Sequence, residues 1–117
     1  MAQTKEVRGV ATSIFTEDGT THVQYHSTRV VSFNDRCIVL RSGGHQTNTT
    51  KTRMNQTANQ FGLDFKVYQH DFDWFVTIGT KTGDLMAYKT VDFVNGMTID
   101  RETGRVTGGR FMEGAVS

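Results

Sequence analysis

The chain contains no proline. Its turns must therefore be supplied by glycine and asparagine. It contains one cysteine, Cys37, which excludes an internal disulfide and fits a reducing cytoplasm. No apolar run reaches the length of a membrane-spanning helix. The first residues, MAQTKEVRG, lack the hydrophobic stretch of a secretory signal. These absences together predict a cytoplasmic protein. Strong charge is missing as well: the net charge of +1 is low for a dedicated nucleic-acid binder. No cysteine pair, HExxH motif, GxSxG elbow, P-loop or GxGxxG fingerprint occurs.

What is present fits one domain. A chain of 117 residues can bury a core without staples. Its apolar residues are weighted toward Phe and Val, which favours strands. Val7 to Phe15 reads as a strand, and Glu17-Asp18-Gly19-Thr20 as a turn. From Thr21 to His26 the chain alternates, with Val23 and Tyr25 on one face and His22, Gln24 and His26 on the other. Thr28 to Phe33 and Cys37 to Leu40, joined at Asn34-Asp35-Arg36, form a hairpin.

The period then changes. Met54, Ala58 and Phe61 lie at i, i+4 and i+7, which predicts a short helix from about Thr49 or Thr50 to Phe61. A threonine caps its start and Gly62 stops it. Arg53, Asn55, Gln56, Asn59 and Gln60 fall on its other sides. A second hairpin follows, from Leu63 to Tyr68 and from Trp74 to Ile78, turning at Asp71-Phe72-Asp73. Gly79 to Asp84 reads as a loop. Leu85 to Lys89, Val91 to Val94 and Met97 to Arg101 are further strands, with a turn at Asn95-Gly96. Thr103-Gly104 turns the chain once more through Val106, and residues 107–117 read as a loose tail. The expected architecture is α+β. It is a single domain over 1–117, with one short helix packed on one face of a mostly antiparallel, twisted sheet.

Few residues gather chemistry. His22 and His26 stand about 13 Å apart on one strand face and cannot share a metal ion without a bend. Cys37 sits in an apolar run, where a cysteine is inert core. Asp71 and Asp73 lie in a turn, the wrong place for a buried acid/base pair. No catalytic residue, cofactor or metal is expected. The exception to this blandness is Ser42 to Gln56, SGGHQTNTTKTRMNQ. A glycine pair leading into a helix start exposes backbone N–H groups to an anion. Thr47, Thr49 and Thr50 add hydroxyls, and Lys51 and Arg53 add charge. Asn55 and Gln56 are amides of the kind that read adenine edges. Tyr68, Phe72 and Phe75 are candidates for stacking on bases. A threonine cap alone explains only one of these polar residues. The surplus of His45, Thr47, Thr49, Thr50, Lys51, Arg53, Asn55 and Gln56 forms the candidate binding surface.

Gly43-Gly44-His45, Thr47, Thr49-Thr50-Lys51, Arg53-Met54-Asn55-Gln56, Val67-Tyr68-Gln69, Trp74-Phe75-Val76 and Asn95-Gly96-Met97 together resemble a group of small proteins from tailed bacteriophages. The resemblance runs from about Thr28 to Arg101. It carries no activity with it. It implies a phage-encoded accessory protein in the host cytoplasm, of a kind that acts by binding and blocks a host defence or restriction component. A nucleic-acid-binding module and a nucleotide binder or sponge use the same residues and stand as alternatives. Exposed strand edges are also expected to allow a homodimer.

Overall fold

A computed structural model describes residues 12–44, 47–82 and 84–108. The expected strand residues 7–11, His45 and the tail from residue 109 lie outside this range. Nine strands and one helix follow in the order β1 (Thr12–Glu17), β2 (Thr20–Tyr25), β3 (Thr28–Phe33), β4 (Cys37–Leu40), α1 (Asn48–Phe61), β5 (Phe65–His70), β6 (Asp73–Thr82), β7 (Leu85–Asp92), β8 (Met97–Asp100) and β9 (Val106–Gly108).

The strands form two antiparallel sheets, not the single sheet expected. One has six strands in the order β1-β2-β3-β4-β8-β9, and the other is the meander β5-β6-β7. The helix packs on the inner face of the six-stranded sheet at β2 and β3, and it also runs beside β5. Helix and small sheet thus share one layer over the large sheet. Val23, Val31, Ile38, Leu40, Met97 and Ile99 from the large sheet meet Met54 and Ala58 from the helix, and Val67, Trp74, Val76 and Ile78 from the small one.

Local sequence explains the elements. Asp18 and Gly19 both take positive φ, as a two-residue hairpin turn requires. Thr47 caps α1, its hydroxyl accepting from the Thr50 N–H, so the helix starts a residue or two before the predicted position. Gly62 ends it in the left-handed conformation. Val23 pairs with Val31 while Gln24 pairs with Arg29, so Val30 is the extra residue of a β-bulge. The bulge lets the consecutive Val30 and Val31 both be buried.

Three readings of the chain need correction. Gly79 to Asp84 is not a loop, because β6 continues to Thr82 and pairs with one long β7. Gly79 is held inside the strand by Tyr88 opposite, whose Cε1 would stand 2.9 Å from an added Cβ. Thr107 and Gly108 belong to β9, not to a tail. Cys37 is half-buried at the start of β4 and is not a core residue.

Candidate functional site

The start of α1 lies at one pole of the molecule, where four connections meet. Arg53 packs its guanidinium over Tyr25, next to the β2–β3 turn, with 5.6 Å to the ring centroid. Asn95 Oδ1 accepts from the Ser42 and Gly43 N–H groups at 2.9 and 3.3 Å, joining the glycine pair to the β7–β8 connection. The Phe93 N–H donates to the Trp74 carbonyl, and their rings meet edge to face at 5.3 Å. Lys51 places its ammonium 5.8 Å from the Trp74 ring, bringing the β5–β6 hairpin to the helix start. No acidic residue sits in the first helical turn, so the helix dipole adds to the charge of Lys51 and Arg53.

The structure divides the candidate residues into two groups. Thr47 is exposed, and Thr49, Lys51 and Arg53 are half-buried at the pole. Thr50 is buried, its hydroxyl 3.0 Å from that of Thr47. Asn55 faces the free edge of β5. Its Nδ2 donates to the Val67 carbonyl at 2.9 Å, and its Oδ1 accepts from the Val67 N–H at 2.8 Å. The carboxamide therefore does what a neighbouring strand would do. Gln56, predicted on an outer side of the helix, is buried, with Arg53 Nη1 donating to its Oε1 at 3.4 Å. Arg53 Nε also donates to Thr12 Oγ1 at 2.9 Å. Much of the polar surplus is thus the means by which the helix is tied to both sheets.

Phe72 is the most conspicuous residue at this pole. His70 pairs with Asp73, leaving Asp71-Phe72 as a two-residue loop with φ of 52° and 73°. Such loops favour glycine or asparagine, because a side chain in the left-handed region costs about 1–2 kcal/mol. Here the strained position carries a phenylalanine that is 91% exposed. The fold neither buries the ring nor benefits from the turn it makes. Asp71 and Asp73 flank this apolar tip in the chain, and His70 Nε2 lies 3.2 Å from Asp71 Oδ2.

A second polar cluster occupies the outer face of the large sheet. Arg41 Nη1 donates to Ser32 Oγ at 3.2 Å. The Ser32 hydroxyl lies 2.7 Å from His22 Nδ1, and His22 Nε2 lies 4.0 Å from Glu17 Oε1. Glu17 also pairs with Arg29 at 3.5 Å, and Arg29 sits over Phe15. The order carboxylate, imidazole, hydroxyl is that of a hydrolytic triad. Ser32 is only 4% exposed, so its oxygen cannot reach a reacting carbon. Register alone brings these residues together: Phe15, His22, Ser32 and Val39 occupy one row. Burial lowers the His22 pKa below its ordinary 6.5, Arg29 and Arg41 add to the effect, and Glu17 opposes it. The unfolded chain takes up a proton at the ordinary value and the folded chain does not. Stability is therefore expected to be full above pH 6.5 and to fall as pH drops through that value toward the lowered one. Urea melts at pH 7.5 and 5.5 check this, and His22→Gln is expected to shrink the difference.

Among the described residues, no three His, Cys, Asp or Glu side chains gather where they could hold a metal ion. No helix among them is long and apolar enough to cross a membrane. A shallow, open groove on the outer face of the small sheet is lined by Lys66, Tyr68, Thr77, Gly79 and Tyr88. It shares no residue with the helix start.

The family described as Kyanoviridae Gp96 protein matches residues 1–100. The chain belongs to this family of tailed phages. The match takes in the N-terminal strands, which the resemblance read from the sequence left out, as well as the whole of the pole. No curated protein and no solved structure matches the chain.

Proposed function

We propose that this phage protein is a non-enzymatic accessory protein that binds a host protein through the pole at the start of α1 and inhibits or redirects it. A component of a host defence or restriction system is the target class, and the host cytoplasm the place of action. The carrying observation is Phe72, an aromatic ring held out on a strained turn, where glycine would be more stable. Strained backbone positions cluster at functional sites, and exposed aromatic residues are frequent anchors of protein interfaces. Thr47, Thr49, Lys51 and Arg53 supply the polar rim.

Purification of the tagged protein during infection tests the reading, with co-purified protein and nucleic acid both measured. A stoichiometric host protein that survives nuclease and high salt is expected. Recovery of nucleic acid alone, with a steep loss on adding salt, contradicts it in favour of a nucleic-acid-binding module. Thermal stabilisation by a nucleotide, with no protein recovered, points to a nucleotide binder.

A further inference from the structure

The two edges of the small sheet are treated differently. The edge of β5 is sealed, because Asn55 satisfies both backbone groups of Val67. Among the described residues, nothing covers the edge of β7 in this way. Seven of its eight residues are exposed, with Leu85 at 74%, Tyr88 at 68% and Met86 at 40%, and only Val91 is half-buried. Among the described residues it is longer than either edge strand of the large sheet, β1 with six residues and β9 with three. It contains no proline to block pairing.

We propose that β7 pairs antiparallel with β7 of a second copy, joining two three-stranded meanders into one continuous sheet. In a two-fold antiparallel pair, outward-pointing backbone groups meet only when opposed residues share parity. Three central registers are then open. Lys89 on the axis sets two like charges face to face, which is unfavourable. Ala87 on the axis pairs the strand only from Leu85 to Lys89. Tyr88 on the axis pairs it from Leu85 to Val91. This last register sets Tyr88 against its own copy, Met86 against Thr90, Leu85 against Val91 and Ala87 against Lys89, and the only like charges it opposes, Asp84 and Asp92, fall at the ends of the ladder rather than on its axis. Lys89 therefore selects the register without preventing association. A single strand edge with three large apolar side chains per copy buries less than the ~1,600 Å² of a standard interface, so the dimer is a weak, transient one.

The test uses cysteine placement in the full chain with Cys37→Ser. Opposed Cα atoms across the axis lie about 4.5–5.5 Å apart, within disulfide range. Tyr88→Cys is expected to give a disulfide-linked dimer under mild oxidation. Thr90→Cys, on the same face, is not, because its counterpart lies about 13 Å away. Light scattering across 10–500 µM is expected to show the unmodified chain passing from monomer to dimer. Tyr88→Lys, which adds like charges on the axis, is expected to weaken dimerisation at least tenfold with an unchanged circular-dichroism spectrum. A monomer at all concentrations overturns the proposal. So does a dimer that Tyr88→Lys leaves intact or that Tyr88→Cys fails to trap.

Discussion

Phe72→Gly is expected to give a protein that melts a few degrees higher and no longer captures its partner. The two effects share one cause. Phe72 takes φ of 73° in a two-residue turn and is almost wholly exposed, so its ring contributes no burial to the fold. Glycine removes the left-handed penalty of about 1–2 kcal/mol and creates an Asp-Gly turn, which suits this hairpin. Part of the gain is returned as extra freedom of the unfolded chain. A net gain of about 1 kcal/mol corresponds to a rise of about 4–8 °C in a small domain. Loss of an aromatic anchor at an interface costs about 2–4 kcal/mol, which lowers affinity at least about thirtyfold. Calorimetry and partner titration on the same two proteins check both. A structural role for Phe72 predicts a lower melting temperature, the opposite sign.

Asn55→Ala is expected to be the most destabilising exchange among the polar residues of the helix. Asn55 bonds both the N–H and the carbonyl of Val67, a residue that is itself buried. Alanine leaves both backbone groups without a partner, at about 1–3 kcal/mol each. The better helix propensity of alanine, worth at most ~0.7 kcal/mol, does not offset this. A loss of about 2–5 kcal/mol is a large share of the ~5–15 kcal/mol a domain of this size has in total. Urea denaturation gives the number. Asn59→Ala, an exposed position on the same helix, is the control and is expected to change stability by less than about 0.5 kcal/mol. Equal effects at the two positions contradict the edge-sealing role of Asn55.

These two residues also show where sequence reasoning reaches and where it stops. The helix was legible because Met54, Ala58 and Phe61 repeat at helical spacing and Gly62 follows them. The first hairpins were legible because Asp18-Gly19 and Asn34 carry their own turn chemistry, and Asn95-Gly96 marked a turn that the structure places between the two sheets. The division into two sheets was not, since strand patterns do not say which edges meet. Gly79 looked like a break because the residue that covers it, Tyr88, is nine positions away and becomes its neighbour only through pairing.

The same limit applies to the site. Helical spacing puts Asn55 and Gln56 off the apolar face, and a polar residue there reads as a solvent contact. Asn55 instead meets a strand edge, whose backbone needs a polar partner, and Gln56 is buried beside Arg53. Ser42 to Gln56 therefore carried two signals at once, one for holding the fold and one for the pole. Phe72 was visible only as an exposed aromatic. Its strain follows from the pairing of His70 with Asp73, which forces a two-residue loop onto a sequence without the usual glycine. The row of Phe15, His22 and Ser32 was likewise hidden until three strands were in register.

The most direct test of the binding pole is a photoreactive phenylalanine analogue at position 72, irradiated during infection. One dominant adduct with a single host protein is expected, absent when the same analogue replaces Lys66 on β5. Adducts with nucleic acid alone, or the same pattern from both positions, contradict the assignment of this pole as a protein-binding surface.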